Sequence, residues 1–466
     1  MRQRSRGRTA LVAVAAMCAA AALPGQAYAA GESSAYTFDP GAKKITGSEV
    51  SIEASPLSAG SVYRSSIKGG EQLYYRLDLD AKTNAYVSVV AVPRGGGQVA
   101  YGDGFTVSVR DSTDRQCGYD TARFQSAEFP RPIAAYAYRT VDEGGGACQE
   151  AGTYSVLIER ESKDTSSPEA WDLELRYVSE PRLRAAGPMP SEAPENWPSE
   201  SPAPPATAPQ KRSGGTSYYD ATSLDTGEWH DDVAPGQTRF YRVPVDWGQQ
   251  LYATVDLGNN NASTEFVGSA LTLSLDNPAH GHVDDASPLS YAGKSTSVSL
   301  APLPPVAYEN RHASNSSVSA MRFAGWYYLS VTLSPKVAKS YGDKPIPLSL
   351  KVTVKGTAEK TPYAGDPGIF SVTGNDKDMA RSGKSASDAA RSDTMRAVGV
   401  AGISAGAVLV LGLGVWTLLA RRRAAATAGG QGGAPGATAG ASGAAGAQGG
   451  AAGDGRSPYG GPPQNW

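Results

Sequence analysis

One stretch of this chain occurs twice, and both copies alternate apolar with polar residues. Residues 61–111 align with 227–277 at a constant offset of 166, without a gap. Gly70 matches Gly236, and Tyr75-Arg76 matches Tyr241-Arg242. Asp80, Tyr86 and Val89 match Asp246, Tyr252 and Val255, and Thr106-Val107-Ser108-Val109 meets Thr272-Leu273-Ser274-Leu275. Further on, Ala151-Gly152-Thr153-Tyr154 matches Ala324-Gly325-Trp326-Tyr327 at offset 173, and residues 171–175 match 346–350 at offset 175. An offset that grows along the chain places the insertions in loops, as expected for duplicated domains.

The period inside each copy is two. Tyr75, Leu77 and Leu79 alternate with polar residues, as do Phe105, Val107 and Val109, then Tyr154, Val156 and Ile158. Leu271, Leu273 and Leu275, and Tyr327, Leu329 and Val331, do the same in the second copy. Such alternation over five to seven residues predicts strands with one buried face. Gly and Pro clusters separate them, and no amphipathic helix of useful length interrupts them. The expected fold is all-β: two tandem β-sandwich or jelly-roll-like units, at 45–178 and 217–356.

Gly69-Gly70-Glu71-Gln72-Leu73-Tyr74-Tyr75-Arg76-Leu77, Tyr101-Gly102-Asp103-Gly104-Phe105-Thr106-Val107 and Ala151-Gly152-Thr153-Tyr154-Ser155-Val156 together resemble the bacterial pre-peptidase C-terminal domain. The second copy repeats the series as Phe240-Tyr241-Arg242-Val243 and Gly325-Trp326-Tyr327-Tyr328-Leu329. The resemblance covers both units and implies a jelly-roll accessory domain that binds rather than cleaves. Asp103 meets Ser269 in the second copy, so a calcium site shared by the two is not implied.

The ends supply an address. Arg2, Arg4, Arg6 and Arg8 precede an apolar stretch, and Ala27-Tyr28-Ala29 predicts signal cleavage between Ala29 and Ala30. Residues 397–420 carry no charge and are long enough to cross a hydrocarbon core of about 30 Å. Arg421-Arg422-Arg423 follows at once, which places the C-terminus inside and predicts a single-pass type I protein of the cell membrane with an extracellular N-terminal region. Gly402 and Gly406 form a GxxxG in that span, a candidate surface for a homodimer. Between the units, nine prolines in 180–212 predict an extended spacer within a linker at 179–216. Residues 357–396 read as a stalk, and the Gly/Ala-rich tail at 421–466 reads as disordered.

With a net charge of -2 and no basic stripe, nothing points to nucleic acid. After signal removal two cysteines remain, Cys117 and Cys148, and outside the cell an even pair predicts a disulfide. His280-Gly281-His282 with Asp284-Asp285 has metal-ligand character and Asn259-Asn260-Asn261 with Asp276-Asn277 has oxygens suited to calcium, but loop solvation and ordinary turn chemistry are the favoured readings of both. No metal or cofactor is assigned. The single G-x-S-x-G, Gly402 to Gly406, lies inside the span, where it cannot form a nucleophile elbow, so no catalytic residue is assigned. Trp326 and Tyr328 stand opposite the core residue Tyr327 and are the candidate ligand surface.

The functional expectation is a non-enzymatic, membrane-anchored surface protein of a high-GC Gram-positive type of bacterium, binding a protein or cell-wall partner. A scaffold subunit of a membrane secretion or protease complex is the main alternative, and a cell-wall hydrolase the third. Divergence between the copies, with histidines only in the second and the cysteine pair only in the first, predicts a shared fold without a shared ligand site.

Overall fold

The alternating stretches form strands. The computed structural model describes residues 35–141, 146–184, 192–203, 205 and 207–427. The signal segment, with Ala29 and Ala30, and the tail beyond 427 lie outside the described residues. In chain order the first set of strands is β1 (Lys43–Lys44), β2 (Ser55–Pro56), β3 (Val62–Ile67), β4 (Gln72–Leu79), β5 (Asn84–Val92), β6 (Gly104–Arg110), β7 (Gln116–Arg123), β8 (Ile133–Arg139), β9 (Gly152–Glu161) and β10 (Trp171–Glu180). The second set is β11 (Gln210–Lys211), β12 (Thr222–Ser223), β13 (Gly227–Val233), β14 (Thr238–Val245), β15 (Gln250–Leu257), β16 (Val267–Asp276), β17 (His282–Asp285), β18 (Leu289–Tyr291), β19 (Thr296–Ser299), β20 (Gly325–Leu333) and β21 (Ile346–Lys355). Four helices, α1 (Ser316–Ala320), α2 (Val337–Tyr341), α3 (Gly374–Ser382) and α4 (Ala386–Thr427), complete the described elements besides two 3-10 turns.

Each set makes two sheets. The first has the orders β1-β3-β10-β5-β8 and β2-β4-β9-β6-β7. The second has β11-β13-β21-β15-β19 and β12-β14-β20-β16-β17, with β18 also beside β16. Reading β1 to β7 as β11 to β17, and β8, β9 and β10 as β19, β20 and β21, the strand order is the same, with β18 additional in the second set. The register agrees as well. Leu77 faces Tyr154 as Val243 faces Tyr327, Val107 faces Ile158 as Leu273 faces Val331, and Val89 faces Leu175 as Val255 faces Leu350. These pairs follow the sequence offsets of 166, 173 and 175. The match runs beyond the aligned segment: Ser108 faces Tyr119 as Ser274 faces Asp285, and both strand pairs shift register at the same place, after Val109 and after Leu275.

The inward residues fill the space between the sheets. Tyr75, Leu77, Phe105, Val107, Val156 and Leu175 are buried in the first set, and Tyr241, Val243, Leu271, Leu273, Leu329 and Leu350 in the second. The buried tyrosines place their hydroxyls alike. Tyr154 donates to the carbonyl of Glu150 at 2.7 Å, and Tyr327 to that of Phe323 at 2.8 Å, four residues back in both cases. Tyr75 bonds to Ser65 at 2.9 Å and Tyr241 to Asp231 at 2.7 Å, again matched positions. Each hydroxyl thus escapes the cost of burial without a partner. Gly70 and Gly236 take φ of 72° and 79° in the turn before β4 and β14, a conformation that glycine adopts without strain.

Cys117 and Cys148 form a disulfide, with Cα atoms 5.7 Å apart. It ties β7 to the segment before β9.

The linker and stalk differ from the expected free spacer. The two sandwich-like bodies belong to one compact unit that ends at Asp393. Tyr86, Tyr136 and Val178 of the first body lie in the same buried cluster as Phe323, Tyr363 and Phe370. Leu183 pairs with Tyr363, Trp197 donates to the carbonyl of Pro302 at 3.1 Å, and Gln250 donates to that of Pro198 at 2.8 Å. Residues 363–382 are not a simple stalk either. Tyr363 and Phe370 are buried, and α3 starts with a capping box in which Thr373 and Asp376 bond reciprocally. Two aromatic residues in a polar stretch have no period to betray them, which is why composition reads the segment as exposed.

Glu180 closes this junction. The residue is 1% exposed. Its Oε1 accepts from Arg311 at 2.8 Å and from the Tyr363 hydroxyl at 2.6 Å, while Oε2 accepts from Asn84 at 2.6 Å and Tyr86 at 2.8 Å. Burial pushes its carboxyl up, but Arg311 and the hydrogen bonds outweigh burial and hold it below the usual range.

Residues from Thr394 onward form a separate unit, which contains most of α4. Val408, Leu411, Val415, Trp416 and Leu419 are exposed on it. The side chains of 396–407, with Gly402 and Gly406, lie outside the described residues. Among the described residues, no helix is long and apolar enough to cross a membrane.

Two outcomes follow from the junction. Replacing Cys117 and Cys148 by Ala releases a 31-residue closure, costing roughly 3–4 kcal/mol. Because Tyr86, Tyr136 and Val178 of the first body pack into the buried cluster of the second, calorimetry of the full chain is expected to show one transition that moves as a whole. Two transitions, of which only one moves, would contradict coupling of the bodies through that cluster. Glu180→Ala leaves Arg311 buried without its anion and is expected to cost about 3–5 kcal/mol at pH 7. Since the folded carboxyl is depressed, its contribution is present above the unfolded pKa and disappears as pH falls through the lower folded value. Denaturant midpoints of wild type and variant should therefore converge in acid.

Candidate functional site

Arg242 lies on the outer face of the β14/β20 pair, where alternation turns it away from the core neighbours Tyr241 and Val243. It stands in register with Tyr328, and Pro244 stands opposite Trp326. The guanidinium carbon sits 4.1 Å from the Trp326 ring centre. Nε donates to the Ser223 hydroxyl at 2.9 Å. Arg242 is only 5% exposed, and its buried Nη2 has no hydrogen-bond partner. Burial lowers its pKa, outweighing the nearby Tyr328, Asp376 and Asp388, which raise it.

The opposite wall belongs to β10. Glu174 is buried, accepts from the Tyr36 hydroxyl at 3.2 Å and the Asp39 amide at 3.3 Å, and is pushed up to about 7 by burial. Arg176, half-buried, approaches Nε2 of His280 at 3.4 Å. His280 is buried, stacks on Tyr218 at 4.4 Å and meets Tyr328 edge-on at 4.8 Å. Burial, with the Arg176 charge, pushes its pKa well down, so a neutral ring accepts from the guanidinium. Between these walls lies a cleft of about 550 Å³, also lined by Trp326, Ile369 and Asp376.

Trp326 and Tyr328 therefore do not form an open ligand surface. Tyr328 is 7% exposed, packed by Tyr218 and His280. Trp326 is half-buried and donates its Nε1 hydrogen to Asp376 of α3 at 2.9 Å. Both line the cleft rather than the free outside of the sheet. Arg176, Glu174 and Arg242 were not singled out by sequence. The repeat carried one signal, because Arg242 matches Arg76. In the first copy Arg76 meets Asp78 at 3.5 Å. The second copy has Pro244 where Asp78 stands, so Arg242 lacks that acid.

The two histidines of the His-Gly-His patch go to different surroundings. His282 lies 3.6 Å from Asp276 and 3.6 Å from Asp285. This group borders a second cavity of about 320 Å³, also lined by Arg131 and Tyr218. Among the described residues, no group of three His, Cys, Asp or Glu side chains is arranged to hold a metal. Asp103, the acid of the resemblance, is occupied by backbone: its carboxylate accepts from the amides of Lys163 at 2.8 Å and Ala100 at 3.0 Å.

Burial alone would lower the His282 pKa, yet Asp276, Asp285 and Asp120 raise it to about 9, although the ring keeps 39% exposure. A raised folded pKa means stabilisation that is complete below about 6.5 and fades as pH rises through about 9. His282→Asn is expected to lower the thermal midpoint near neutral pH, and the gap to wild type should shrink at pH 10. A gap that widens with pH would contradict this charge arrangement.

No known protein family matches the chain, and no curated protein matches it either. Solved structures that align include the cryo-EM structure of Broad Bean Stain Virus, 8% identical with a TM-score of 0.19, covering 69% of this chain and 95% of that one. The CUB1-EGF-CUB2 region of human MASP-1/3 is 9% identical with a TM-score of 0.14, over 62% of this chain and 99% of that one. The tandem CBM22 domains of Paenibacillus barcinonensis Xyn10C are 12% identical with a TM-score of 0.16, over 65% and 93%. At such scores none of them bears on function.

Proposed function

We propose that this chain is a non-enzymatic, membrane-anchored protein of the cell surface, whose two copies of one β-sandwich lie in one compact unit that binds a protein or cell-wall partner. The observation that carries the reading is positional. The copies share strand order and register, yet Thr153 and Ser155 of the first are replaced by Trp326 and Tyr328 in the second, and Asp78 beside Arg76 by Pro244 beside Arg242. Matched backbone with unmatched chemistry at one outer face favours a binding site acquired by one copy. The groups at the cleft hold and orient. Its histidine is engaged as an acceptor, and its aromatic rings supply area.

The anchor is part of the same proposal. Exposed Leu, Val and Trp side chains along α4 require an apolar partner, and the basic Arg421-Arg422-Arg423 directly follows them. A lipid bilayer meets both demands, with the sandwiches outside and the C-terminus inside. Protease added to wall-less, sealed cells is expected to remove the sandwiches while a tag placed after Trp466 survives on a small fragment. Digestion of the tag with retention of the sandwiches would reverse the orientation. Recovery of both in the soluble fraction would remove the anchor.

A further inference from the structure

We propose that the cleft between β10 and the β14/β20 face binds a single carboxylate group, held by Arg242 with Arg176, on a body that packs against Trp326. The proposal rests on the reading of this cleft as a binding site and names the chemistry of its ligand.

Charge accounting comes first. The cleft contains two guanidiniums, and neither makes an ion pair among the described residues; Arg242 bonds Ser223 through Nε and Arg176 meets His280, Asp376 and Asp388 act on Arg242 from farther off, and Nη2 of Arg242 is left without an acceptor. The acids beside them are already committed. Asp376 accepts from Trp326 and from both the amide and the hydroxyl of Thr373. Asp39 accepts from the Gly41 amide, and Glu174 from Tyr36 and the Asp39 amide. A buried guanidinium nitrogen without an acceptor is costly, and a ligand oxygen removes that cost.

Three features select a carboxylate. A guanidinium fork matches the two oxygens of a carboxylate in one plane. Arg242 is fixed in orientation by stacking on Trp326 at 4.1 Å and by Ser223, so little entropy is lost when it binds. The acids Asp39, Glu174 and Asp376 also line the cleft, and they disfavour a dianion such as a phosphate monoester more than a monoanion. The volume, about 550 Å³, lies within the range of small-ligand sites, and Trp326, Ile369 and Pro278 offer apolar contact. Such a group occurs at the carboxyl terminus of a peptide and on an acidic sugar.

The test is a titration of the purified full chain in detergent micelles, read by calorimetry and by tryptophan fluorescence. The probes are N-acetyl-leucyl-alanine with a free carboxylate, the same dipeptide as its C-terminal amide, and glucuronate. The free acid or glucuronate should saturate, and the amide should bind at least about tenfold more weakly than the acid. Saturation by the dipeptide acid assigns a peptide terminus, and saturation by glucuronate alone assigns an acidic sugar. Arg242→Met should weaken the saturating probe by at least about tenfold. Arg176→Gln, at a half-buried position, repeats the test should Arg242→Met fail to fold. Equal binding of acid and amide, no saturation by either carboxylate, or unchanged affinity in a folded variant of either arginine would overturn the proposal. None of these outcomes depends on the orientation in the membrane, which the protease experiment tests separately.

Discussion

A single buried carboxylate makes one body out of two sandwiches. Glu180 ends the last strand of the first, and its two oxygens collect Asn84 and Tyr86 from that body, Arg311 from a turn of the second, and Tyr363 from the chain beyond β21. A charge so buried is tolerable only when every lone pair is engaged, so its partners must hold their places together. That requirement fixes the relative placement of the bodies. The cleft depends on it, because one wall comes from β10 and the other from β14 and β20.

Much of the architecture is legible in the sequence, and the reason is the pleat. Alternation marks Tyr75, Leu77, Val107 and Val156 as inward residues, and the repeat offsets carry their pairing to Tyr241, Val243, Leu273 and Leu329. The disulfide between Cys117 and Cys148 is likewise legible from count and compartment. Contacts without a period are not. Glu180 reads as the start of a linker because it follows the last alternating residue and opens a proline-rich run. Tyr363 and Phe370 read as isolated aromatics in a polar stretch. Pairwise tertiary contacts of this kind leave no local trace.

The candidate site was half legible. Alternation put Trp326 and Tyr328 on the outer face of their strand, which is where they lie. What covers that face is a long-range matter: Asp376 comes from α3, and Tyr218 and His280 come from two other loops. The comparison of Arg76 with Arg242 would have been more telling than either residue alone. Pro244 stands where the first copy has Asp78, so Arg242 has no acid at that position.

The path of the chain after β21 has a mechanical consequence. Between that strand and α4 the backbone passes Tyr363, bonded to Glu180, then Phe370 in the shared core, then α3 with its capping box, and Lys384, whose carbonyl accepts from Ser223. A pull exerted through α4 meets these attachments in reverse order, first at Ser223 of β12 and then, through Asp376 of α3, at Trp326 of β20. The last of them is the carboxylate that joins the two sandwiches. Tension on the C-terminal helix therefore loads the second sandwich at β12 and β20 before it reaches the carboxylate at the seam between the bodies.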